Sequence, residues 1–130
     1  MALGMSETLR NARLDAITTA IGNAGKLKLY NGTKPATGGA ATTLGATLIL
    51  ASPAAPGAAA GLLTFSTIAD VTAVASITCT WGRITTSADA FVADCTAGIA
   101  GTDIIIAGSA AITAGQTVTV TAATITEGNA

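Results

Sequence analysis

The sequence predicts a mainly β protein, an antiparallel β-sandwich or jelly roll of about seven or eight strands with one N-terminal helix. Three observations carry that prediction. A helical period of apolar residues occupies only residues 6–21; from Lys26 onward the period drops to two. The alternating runs are short, and Gly-, Pro- and Asn-bearing turn segments separate them through to the C-terminus. Ala (30), Thr (23) and Gly (15) supply more than half of the 130 residues, and here that bias falls within the strands and not in a disordered tract. A chain of this length makes one domain. It reads as a helix or arm over residues 1–25 and a β-sandwich over residues 26–130, forming one compact unit.

The helix begins at Ser6, an expected N-cap, with Glu7 placed favourably in the first turn. Leu14, Ile17 and Ile21 lie at i, i+3 and i+7, and Leu9, Ala12, Ala16 and Ala20 widen this apolar face. Thr8, Asn11, Asp15 and Thr18 form the opposite stripe, and Gly22 and Gly25 end the helix. Two readings stay open: the helix packs on its own sheet, or it is an arm that docks on a neighbouring subunit.

Lys26-Leu27-Lys28-Leu29-Tyr30 alternates as a first strand, and Asn31-Gly32 reads as a hairpin turn. Residues 34–45 form a long loop, 46–52 a second strand, 53–61 another loop and 62–68 a third strand. The strongest strand follows. Val71, Ala73, Ala75, Ile77, Cys79 and Trp81 face one way, Thr72, Ser76, Thr78 and Thr80 the other, with Val74 out of pattern. Residues 91–96, 103–107 and 117–126 complete the set. A parity change in the last strand predicts a bulge near Ala122. A hairpin symmetric about Ser87 places Cys79 opposite Cys95, Trp81 opposite Ala93 and Arg83 opposite Phe91. Opposed cross-strand cysteines make strained bridges, so both are read as buried free thiols, with a redox switch as the alternative.

Composition excludes several functions. Six Lys and Arg against seven Asp and Glu give a net charge of −1, so nothing steers the chain toward nucleic acid. Without histidine there is no Ser-His-Asp triad, no Cys-His dyad and no mixed-ligand zinc site. The expectation is a protein that is not an enzyme, with no catalytic residue, cofactor or metal. The N-terminus lacks the apolar run of a secretory signal, and two cysteines without one point to a reducing cytosol at synthesis. Residues 44–63 are uncharged, but their apolar content is mostly Ala, and Pro53 and Pro56 interrupt them, so no membrane span is expected.

Charge is also unevenly placed. Residues 1–34 carry five basic and two acidic side chains, whereas residues 35–130 carry Arg83 against five acids. Residues 35–69 have no charge, which suits a surface meant to be covered. Motifs with chemistry are weak. Gly22-Asn23-Ala24-Gly25-Lys26 lacks phosphate-loop spacing. Asp89, Asp94 and Asp103 lack the pattern of a calcium loop. Asn31-Gly32-Thr33 matches a glycosylation sequon but reads as a turn. Arg83 stands out as a strand-borne cation placed to stack on Trp81 or pair with Asp94.

One resemblance covers most of the chain. Thr80-Trp81-Gly82-Arg83-Ile84, Phe91-Val92-Ala93-Asp94-Cys95 and Ala114-Gly115-Gln116-Thr117-Val118-Thr119-Val120-Thr121 resemble segments of small structural proteins of tailed phages. So does the opening, with its helix bearing Arg-Asn-Ala, its Leu-x-Leu-Tyr strand, its Asn-Gly turn and its Lys-Pro loop. The sequence departs from that group in its scarcity of aromatics and charge, and in having Gly82 where a bulky aromatic is expected. Related cement, or decoration, proteins of short-tailed phages have a jelly-roll fold and bind the outer capsid shell as oligomers, bridging neighbouring subunits. The resemblance therefore implies a virion protein made in the bacterial host cytoplasm and carried on the outer capsid surface. Its implied partners are the major capsid protein and itself, as a dimer or trimer. A tail or neck component, or a ligand-binding β-sandwich module, is the alternative. The candidate contact residues are Arg10 and Arg13 in the basic N-terminal segment, Lys34 and Pro35 at the start of the first loop, Pro53 and Pro56 in the second, and Arg83.

Overall fold

The computed structural model describes residues 4–127. Its helix, α1 (Glu7–Ile21), starts where the capping chemistry places it: the Leu9 N–H donates to Ser6 Oγ at 3.2 Å, and Gly22 closes the C-terminus at φ +70°. Eleven strands follow: β1 (Lys26–Tyr30), β2 (Leu44–Ile49), β3 (Leu62–Thr64), β4 (Val71–Thr72), β5 (Ile77–Thr78), β6 (Trp81–Thr85), β7 (Phe91–Gly98), β8 (Ile104–Ile106), β9 (Ala111–Ile112), β10 (Thr117–Val118) and β11 (Val120–Thr126). Seven of them form a curled half-barrel sheet in the order β2-β1-β6-β7-β8-β11-β3, and β10-β4 and β5-β9 form two small ladders. The fold is mainly β with one N-terminal helix, consistent with a sandwich of seven or eight strands. One pair, β7–β8, is parallel, so the large sheet is mixed where the sequence suggested an antiparallel one.

Two-residue periodicity sorts side chains to the two faces of this sheet. On the inner face Leu27, Leu29, Leu48, Ile84, Cys95 and Ala97 join Leu14 and Ile21 of α1 in one apolar core. On the other face Tyr30 and Trp81 stack at 4.5 Å between ring centroids, and Trp81 is fully buried. The accessible surface is 6337 Å², close to the roughly 6,200 Å² expected for a compact 12.5 kDa monomer. Through Leu14 and Ile21, both buried, the helix packs on its own chain.

Several expectations need correction. The strand expected over residues 71–81 is broken into β4, β5 and the start of β6. Its parity survives the breaks, because Ala73, Ile77, Cys79 and Trp81 are buried while Thr72, Val74, Ser76, Thr78 and Thr80 are exposed. Asn31-Gly32 does not make a two-residue hairpin; β1 pairs with β2 across residues 31–43. The β6–β7 register is offset by three from symmetry about Ser87, with Trp81 opposite Thr96, Gly82 opposite Cys95, Arg83 opposite Asp94 and Ile84 opposite Ala93. A bulge at Ile84/Thr85 and a turn with Asp89 at φ +66° absorb the offset. Cys79 and Cys95 are therefore not opposed; both are free and buried. The expected bulge in the last strand is present, between Val120 and Ala122.

Candidate interaction surface

The helix carries the largest departure from expectation. Leu14 and Ile21 are buried and Ile17 packs beside them, but Leu9, Ala12, Ala16 and Ala20 face solvent, with Leu9 48% exposed. Asn11 and Asp15 of the polar row, with Glu7, face the 53–61 loop instead. The N–H groups of Ala58, Ala60 and Gly61 donate to Asp15 Oδ1 (2.7 Å), Glu7 Oε1 (3.3 Å) and Asn11 Oδ1 (2.9 Å). Glu7, Asn11 and Asp15 lie at i, i+4 and i+8, so one helix face offers three acceptors in a line. They satisfy main-chain donors of the 53–61 loop that would otherwise need water. Ala54 and Ala55 anchor the start of this loop in the core, leaving Pro53, Pro56, Gly57, Ala59 and Ala60 exposed.

The other loop, residues 31–43, carries one charge, Lys34, and lies over the outer face of β1, β6 and β7. The Trp81 indole Nε1 donates to Asn31 O at 2.9 Å and to Thr42 Oγ1 at 3.1 Å, holding both ends of the segment. Arg83 and Asp94 meet in a two-pronged ion pair, Nε to Oδ1 at 2.7 Å and Nη2 to Oδ2 at 3.1 Å, with their side chains 14% and 2% exposed. From that pair Arg83 Nη2 donates to Gly39 O at 2.7 Å, while the Gly38 N–H donates to Asp94 Oδ2 at 3.1 Å. The guanidinium also lies 5.3 Å from the ring centroids of both Trp81 and Phe91. Burial pushes the Asp94 carboxyl up, but Arg83, the Gly38 N–H and the charge of Lys34 outweigh it and hold it below its ordinary value.

The contact candidates thus separate. Lys34, Pro53 and Pro56 are exposed on the two loops, with Pro35 partly covered. Arg83, which the sequence offered as a contact, is committed inside the chain to Asp94 and Gly39. Arg10 Nη1 donates to Glu127 O at 3.3 Å, and Arg13 Nη1 lies 3.0 Å from Glu127 Oε1. Lys26 and Lys28 both reach Asp89, at 3.0 and 2.7 Å. Five of the six cations therefore have partners within the chain, and the basic character expected of the N-terminal segment is largely neutralised there. Sequence reasoning missed the three acceptors on α1, because periodicity sees a polar stripe but not the remote N–H groups it serves.

A cleft of about 180 Å³ opens where β3 parts from β11, lined by residues 64–68 and 120–123. It offers hydroxyls and backbone groups without an ionisable side chain, and it is smaller than the roughly 300–1,000 Å³ usual for small-molecule sites. Among the described residues no three Asp, Glu or Cys side chains converge as a metal site, and no helix is long and apolar enough to cross a membrane. Comparison with protein-family models, with curated proteins and with solved structures finds no match to this chain.

Proposed function

We propose that this chain is a virion structural protein, a capsid decoration protein that binds the outer shell and bridges major capsid subunits. One observation supports the reading best: the charged side chains act as brackets behind two exposed loops that carry almost no charge themselves. Arg83 and Asp94 hold the first loop, and Glu7 and Asp15 with Asn11 hold the second. Lys34 apart, the outward faces are mostly Ala, Gly, Pro and Thr, which lose little side-chain entropy when a large protein covers them. A loop fixed before binding also reduces the ordering cost of association. Repetition over a symmetric lattice multiplies weak contacts, so each one need not be strong.

The test is the number of copies on a purified virion, measured by quantitative mass spectrometry against the major capsid protein. A number comparable to the capsid subunit count supports decoration of the lattice. A handful of copies moves the protein to the neck or tail, and none removes it from the particle. Pro56→Asp or Ala36→Asp places a charge on one loop without touching its brackets. Retained capsid binding by both variants would exclude the loops as the contact.

A further inference from the structure

We propose that Asp94 is an acid-sensitive latch: its ionised carboxylate holds the tip of the 31–43 segment, a strap, against the sheet, and protonation frees the tip while the sheet stays folded. The inference deepens the reading above, since the strap is one of the two surfaces assigned to the partner, but its test needs only the free protein.

The strap is tied differently at its base and its tip. At the base the Asn31 N–H donates to Thr43 O at 3.3 Å, the Thr43 N–H donates to Asn31 Oδ1 at 3.0 Å, and the Trp81 indole bonds both ends. These bonds are all neutral. At the tip the Gly38 N–H goes to Asp94 and Gly39 O to Arg83, so both bonds run through one ion pair. Gly38 sits at φ +71°, close enough to Phe91 that a Cβ added there would meet the ring at 3.5 Å. A proton on Asp94 removes the charge that orients Arg83, and with it the support for both tip bonds.

Groups on every neighbouring element bear on this carboxyl. Arg83 on β6 and Lys34 on the strap favour its ionised form. Lys28 and Tyr30 on β1 lie opposite Arg83 and Trp81, and Asp89 in the β6–β7 turn occupies Lys26 and Lys28. Cys95 follows Asp94 on β7 and feels both Asp94 and Asp103. Because the folded carboxyl lies below its unfolded value, the latch is fully engaged above about pH 4 and is lost as pH falls through the lower folded value.

The experiment follows amide hydrogen exchange and the emission of Trp81, the chain's one tryptophan. In Asp94→Asn at pH 7, Gly38 exchange should rise about tenfold or more, the loss expected for a charge-assisted bond. Trp81 emission should shift to the red, while the Leu29 and Ile84 amides stay within about twofold of the parent. Acidifying the unmodified protein should release Gly38 before those core amides. Unchanged Gly38 exchange in Asp94→Asn, or Gly38 moving in step with Leu29 and Ile84, overturns the proposal. If that variant does not fold, the acid series decides alone, and simultaneous loss of Gly38 and Leu29 protection overturns it. Neither result depends on a capsid, so the latch and the decoration role fail separately.

Discussion

The two loops, which carry one charge between them, are held by different means. The strap over residues 31–43 lies flat on a sheet and is held from beneath by an ion pair and an indole. The 53–61 loop is held from the side by a row of helix acceptors and by burial of Ala54 and Ala55. The first therefore depends on charge and answers to pH near its tip. The second depends on three separate acceptors, two carboxylates and one amide, and on the helix keeping its rotation. A chain with few charged residues can present neutral surfaces when those few charges sit behind them as fasteners.

Four expected outcomes test this contrast. Trp81→Ala should be the most damaging, costing about 3–5 kcal/mol by denaturant unfolding, because it empties a fully buried site and frees both strap ends. Asp94→Asn should cost about 2 kcal/mol, with protease sensitivity rising in the strap and not at residues 56–60. Loosening of both loops would show instead that they form one cooperative unit. Asn11→Ala and Asp15→Ala should each cost about 1 kcal/mol and open the 53–61 loop to protease while Gly38 exchange stays fixed. The smallest effect belongs to the cysteines. Burial pushes the Cys79 thiol up to about 11 and the Cys95 thiol up to about 12, so a thiol reagent at pH 8 should label neither until the chain unfolds.

What the sequence made legible was local. Ser6, the alternation of Lys26–Tyr30, the parity from Ala73 to Trp81 and the bulge before Ala122 are each written in neighbouring residues. The helix face misled because alanine is neutral about burial. Ala12, Ala16 and Ala20 fit an apolar stripe, yet three main-chain donors of a distant loop needed Asn11, Asp15 and Glu7 more. The β6–β7 register misled because a turn of unknown length and a bulge shift the pairing without changing the alternation. The Arg83–Asp94 bond was legible as a possible pairing of residue types. Its link to Gly38 and Gly39 was not, since nothing local connects residues 38–39 to 83 or 94.

The place of β1 in the sheet has a consequence for how the chain is made. β1 pairs on one side with β2, which follows it closely, and on the other with β6, whose Trp81 reaches Asn31 across fifty residues. On a ribosome, about 2–7 s separate the appearance of Ile49 from that of Thr85. During that interval the β1–β2 hairpin lacks its inner neighbour, with Leu27, Leu29 and Leu48 uncovered. Pairing over such separations places refolding in the millisecond-to-second range. The strap cannot take its place until β6 and β7 exist, so its tip is fastened only after Asp94, more than fifty residues further along the chain, has been made.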